Sequence, residues 1–134
     1  MGNFIFLKSH WEDLSNTGEL AENYVFSDPN TSMIKQGMFA ERLVQYMLAY
    51  DGIEEPSYDN THSNRIKLLK KNDLLPRDID DTLYVIRKMR NDATHAGDDD
   101  QKRAKDKLRL TFDLGVWVMQ SYGHYTFETG PYGE

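Results

Sequence analysis

Arg90, Asn91 and His95 fall in the stretch RNDATHAG, where an apolar-patterned run is about to end at Gly97. An arginine can pair with phosphate oxygens and a histidine can move a proton near neutral pH, so this set suits work on a phosphodiester. Arg87, three residues before Arg90, occupies a neighbouring position on the same helix face. If the helix frays between Ala93 and Gly97, His95 can turn back toward Arg90; in an unbroken helix the two lie about 140° apart around the axis. The same residues also have a plainer use. A histidine at a helix end commonly caps the last carbonyls and complements the helix dipole when charged, and Asn91 can simply hydrogen-bond the turn.

Charge along the chain adds a second clue. The 134 residues carry a net charge of -6, yet 13 of the 16 lysines and arginines lie between His62 and Arg109 against nine acids. That middle has a balance of +4, which leaves -10 for the remainder. A basic centre in an acidic chain can form a local patch for a polyanion, and Arg87, Lys88, Lys70 and Lys71 are the candidate nucleic-acid contacts. Charged helix faces that meet only water leave the same signature.

Helices must position these side chains. Trp11, Leu14, Ala21 and Val25 share one face of a first helix in which Gly18 reads as a weak point, and Asp28-Pro29 marks a new start. Met33, Gly37, Ala40, Leu43, Val44, Met47 and Leu48 form the apolar face of a second, which stops near Asp51-Gly52 ahead of the loop GIEEPSYDN. A short third helix sets Ile66 and Leu69 against Arg65, Lys67, Lys70 and Lys71. After Pro76 a fourth, RDIDDTLYVIRKMRNDA, buries Ile79, Leu83, Ile86, Met89 and Ala93. Asp98 or Asp99 is expected to cap the fifth, with Ala104, Leu108, Phe112, Gly115, Val116 and Met119 inward. No alternating apolar pattern supports a sheet, so the expected fold is all-α, a compact bundle of about five helices. Residues 1–122 make the helical domain and 123–134 a C-terminal arm or linker, whose aromatics and glycines leave no buried stripe of their own and point to ordering by a neighbour.

Several chemistries find little support. Cysteine is absent, so there is neither a disulfide framework nor a thiolate metal site, and a reducing, cytoplasmic setting is expected. The start lacks the pattern of a signal peptide, and no apolar run approaches the roughly 20 residues of a membrane span. His10, His62 and His124 are scattered without the spacing of metal ligands, so each reads as structural or solvent-exposed, and no metal or cofactor is expected. Without G-x-x-x-x-G-K-[ST] the chain is not itself an ATP motor. Trp11 and Trp117 read as core residues before base-stacking platforms.

A helical bundle with R-x-x-x-x-H near a helix end, and a polar residue directly after the arginine, resembles the HEPN superfamily; Arg90, Asn91 and His95 carry the match. In catalytic members that resemblance implies a metal-independent endoribonuclease whose Arg and His, usually from both subunits of a homodimer, line one cleft. A longer pattern, IRKMRNDATHAG with VWVMQSYG, FIFLKSHWEDL and MFAERLVQYML, resembles the N-terminal domain of type I restriction enzyme R subunits and related helicase-like proteins, over nearly all 134 residues. That branch implies an accessory domain that docks onto nuclease or helicase domains, dimerises or contacts nucleic acid. Two functions are therefore expected in competition: the accessory module, or a ribonuclease cleaving single-stranded RNA.

Overall fold

The structure, a computed structural model, describes residues 2–133. Five helices build it: α1 (Glu12–Tyr24), α2 (Pro29–Tyr50), α3 (His62–Lys71), α4 (Arg77–His95) and α5 (Gln101–Val118). A short 3-10 turn, Ile5–Leu7, precedes them and one π-turn, Met119–Gly123, prolongs α5. Among the described residues there is no strand, so the all-α bundle expected from periodicity is the observed fold.

The bundle is organised around α2, which packs against each of the other four helices. Asp28 starts it by accepting the Thr31 amide at 3.2 Å, with Pro29 in the first turn where its missing N–H costs nothing. Met33, Phe39, Ala40, Leu43, Val44, Met47 and Leu48 are all buried, more than one stripe, because neighbours cover several sides of this helix. Gly52, at φ +66°, turns the chain away at its end. On α4 the buried set is the expected one: Ile79, Leu83, Ile86, Met89 and Ala93.

Differences from expectation lie at ends and at glycines. Asp100, not Asp98 or Asp99, caps α5 by accepting the Arg103 amide, while Asp98 accepts the Asp100 amide and the Arg103 guanidinium. Gly18 is no weak point. A Cβ there would collide with the ring of Phe4, which is fully buried edge-on to Phe39 and Phe112.

The tail lies against the bundle through single aromatic contacts, which its lack of periodicity does not announce. Phe127 stacks on Phe6 with centroids 5.0 Å apart, and Tyr132 lies 5.0 Å from the Phe112 ring and beneath the Arg109 guanidinium. Asn3 clasps Gly133 in both directions, accepting its amide at 2.9 Å and donating to its carbonyl at 2.6 Å. Isolated aromatics can seat in a helical bundle one at a time, a mode of packing that periodicity does not register.

Candidate anion-binding cleft

A cleft of about 320 Å³ opens between the middle of α2, the first turn of α3 and the second half of α4. Its floor is Gly37 and Ala40, its walls are Glu41, Thr61, His62 and Ser63 on one side and Arg87, Arg90 and Asn91 on the other.

Gly37 lets α4 approach. A Cβ at this position would lie 2.6 Å from Cβ of Arg90 and closer still to its Cγ, so only glycine allows the arginine's aliphatic stem to cross α2 here. The stem carries the guanidinium to Glu41, one turn further along α2, where the two form a half-buried ion pair. One turn earlier on α4, Arg87 is exposed at the same cleft and has neither an ion-pair nor a hydrogen-bond partner among the described residues. Two guanidinium groups therefore face one carboxylate.

His62 enters from α3, set in place by Thr61, whose hydroxyl accepts the Asn64 amide at 3.2 Å and so fixes the first turn. Its Nδ1 is sealed from solvent with no hydrogen-bond partner among the described residues. Burial pushes the imidazole pKa down to about 4; Glu41 opposes that shift, while Arg87, Arg65 and Arg90 add to it. At neutral pH the ring is therefore uncharged, and the arginine excess is what an incoming group would meet. Such a site suits an anion whose oxygens can accept from guanidinium, imidazole and the Asn91 amide together.

Residues 19–125 match the family described as a domain of unknown function (DUF4145). The chain belongs to that family. Over 115 residues it is also 32% identical to the type I restriction enzyme EcoKI endonuclease subunit of Escherichia coli strain K12, an alignment that takes in 86% of this chain and 10% of the larger protein. This DUF4145 domain thus spans about a tenth of the length of that relative. No solved structure matches it.

Of the residues singled out in the sequence, the DUF4145 domain brings Arg87, Arg90 and Asn91 to one cleft and leaves the others outside it. Helix α4 stays intact through His95, with the Ala96 amide donating to the Asp92 carbonyl at 2.9 Å, so the fraying that would turn His95 toward Arg90 does not occur. His95 is exposed, about 140° around the helix from Arg90. Lys88 faces Asp92 at 3.7 Å and Lys70 pairs with Asp80 at 3.1 Å, each away from the cleft, and Lys71 is exposed on the outer side of α3. Sequence reasoning missed His62, Glu41 and Gly37. The i, i+4 spacing of Gly37 and Glu41 on one face of α2 was a usable signal for the last two. His62 gave none, since its partners lie on other helices.

Proposed function

We propose that this DUF4145 domain is an accessory module of a restriction-type protein, cytoplasmic in setting, that docks beside nuclease or helicase domains and contacts the phosphate backbone of nucleic acid through the α2–α3–α4 cleft. The observation that carries this reading is the charge balance of the cleft, where Arg87 has no ion-pair partner among the described residues and Arg90 shares its field with a single carboxylate. Relatedness to a restriction-enzyme subunit supports the context. Phosphate contacts position a protein on nucleic acid without reading sequence, which suits an accessory role.

Binding of fluorescent oligonucleotides across a salt series tests it. Each phosphate contact contributes a slope of about -0.9 for duplex DNA and about -0.7 for a single strand in log K against log salt. Arg87→Ala is expected to weaken binding on every sequence alike and to reduce the slope by roughly one such contact. No binding at low salt, or an unaltered slope in the variant, would sink the proposal.

A second reading is favoured by the presence of Arg90 and Asn91 at one cleft together with an exposed His95. Here the domain is a HEPN-like, metal-independent endoribonuclease: His95 takes the proton of a ribose 2′-hydroxyl, Arg90 steadies the phosphorane charge, Asn91 orients the phosphate, and the product ends in a cyclic phosphate. Because His95 stands on another side of its own helix from Arg90, this reading needs a homodimer in which the His95 of a second copy faces the cleft. Labelled single-stranded RNA incubated with wild type and His95→Ala, with and without EDTA, decides it. Metal-independent cleavage lost in the variant is the supporting result, and intact RNA in every lane ends this reading.

A further inference from the structure

We propose that the α2–α3–α4 cleft is a pocket for a phosphate monoester, held by Arg87, Arg90, Asn91 and His62, and that a nucleic-acid strand presents it there as a terminal phosphate. The strand as the source rests on the nucleic-acid reading above; the phosphate chemistry rests on the pocket alone.

Shape comes first. The cleft has a floor, made where buried Gly37 and Ala40 keep α2 low, and walls on both sides from α3 and α4. A floored recess suits the end of a strand better than a phosphate in mid-strand, which must have chain leaving on both sides. Its volume, about 320 Å³, is at the small end of the range for ligand pockets, room for a phosphate and the sugar that bears it.

Charge comes second. Arg87 and Arg90 against Glu41 leave one positive charge, which balances a phosphodiester. A monoester carries nearly two negative charges above its second pKa of about 6, and balancing it takes one further positive charge. His62 is the group able to supply that charge. It faces Glu41 from α2, Arg87 and Arg90 from α4, and Arg65 of its own helix, which is itself paired with Glu55 of the preceding loop at 2.5 Å. Burial and the arginines keep the ring neutral. A dianion beside it reverses the sign of the local field and favours the imidazolium.

Binding and protonation are then linked. Above pH 6 neither the free ring nor the free dianion carries the proton that the complex holds, so affinity should rise as pH falls from 8 toward 6 and level off once the free monoester is itself protonated. A phosphodiester has no second proton to gain and calls for no added charge, so an unphosphorylated strand should show little of this dependence.

The experiment compares one short single-stranded oligonucleotide with a 5′-phosphate, with a 3′-phosphate and with neither, and a free nucleoside 5′-monophosphate, by fluorescence anisotropy and competition at pH 6.5 and 8. A phosphorylated strand is expected to bind about tenfold tighter than the unphosphorylated one at pH 6.5, with the advantage shrinking several-fold at pH 8. Arg87→Ala, an exposed position that leaves the fold intact, should bring the ratio close to one. His62→Gln should keep part of the advantage but remove its pH dependence, with helicity by circular dichroism confirming that the variant is folded. Competition by the free nucleotide would assign the pocket to the phosphate and its sugar whatever their source; a phosphorylated strand that keeps its advantage while the nucleotide fails to compete would assign it to strand ends. Equal binding of all strands overturns the pocket and leaves the backbone reading standing. Absence of binding by any strand with competent binding of the nucleotide overturns the strand as source, and absence of all binding overturns both proposals.

Discussion

Helix α4 borders two clusters of charge, and they are settled in opposite ways. At its C-terminal end Arg103 of α5 meets Asp92 at 2.9 Å and Asp98 at 2.6 Å, and Lys88 approaches the same Asp92. Asp98 is held below the ordinary carboxylate range by the Asp100 amide and by Arg103, so Arg103, Asp92, Asp98 and Lys88 all have protein partners. On another face of the same stretch of α4, Arg87 and Arg90 share one carboxylate, beside an imidazole that burial keeps neutral. The first cluster ties the α4–α5 turn together. The second leaves attraction unspent, and that difference, rather than the number of arginines, separates a brace from the proposed binding site.

Substitutions can break or sharpen the contrast. The largest effect is expected from Gly37→Ala, because the new methyl would meet Cβ and Cγ of Arg90, atoms too close to the α4 backbone to swing aside. Overpacking of this kind typically costs about 1–3 kcal/mol, partly offset by roughly 1 kcal/mol of helix propensity. Chemical denaturation should register the net loss, and phosphate binding should fall with it as Arg90 is displaced.

Next comes His62. Its folded pKa is depressed below the unfolded value, so its contribution to stability is complete above about pH 6.5 and is lost as pH falls toward 4. Between pH 7.5 and 5 that loss is about 1–2 kcal/mol after allowance for partial exposure. Denaturation midpoints should fall over this window in the wild type, and the part due to this ring should vanish in His62→Gln. An identical pH profile in both would show that the ring is not buried among positive charges.

Smaller still is the pair Arg103→Ala and Arg87→Ala. Removing Arg103 leaves Asp92 with Lys88 alone and Asp98 with the Asp100 amide alone, and should cost about 1 kcal/mol with nucleic-acid binding unchanged. Removing Arg87 should leave stability within about 0.5 kcal/mol and weaken binding. If Arg103→Ala weakens binding as much as Arg87→Ala does, the division between brace and site fails.

What the sequence disclosed follows the range of the forces involved. The stripe Ile79, Leu83, Ile86, Met89 and Ala93 was legible because helical periodicity is local, and Asp28-Pro29 was legible because a cap and its first turn are contiguous. Arg87, Arg90 and Asn91 could be placed together for the same reason: they sit within five residues. His62 could not, since it joins them only after a loop of about ten residues brings α3 to the cleft, and nothing in the polar run Asn60-Thr61-His62-Ser63-Asn64 announces that meeting. The end of α4 was misread by two residues. Asn30, from the start of α2, donates to the carbonyls of Ala93 and Asp98 at 2.8 Å and steadies a terminus that local rules alone would let fray.

The clasp between Asn3 and Gly133 has a mechanical consequence. With residues 3 and 133 side by side, tension applied at these two residues meets their two hydrogen bonds first, then the hold of Glu22 of α1 on Asn3 at one end and the Tyr132–Phe112 and Phe127–Phe6 contacts at the other. Those contacts would yield one after another, paying out the ten described residues after the π-turn, 124–133, as slack while the five helices stay packed. The cleft, held by α2, α3 and α4 on the inner side of those contacts, would keep its shape while they part.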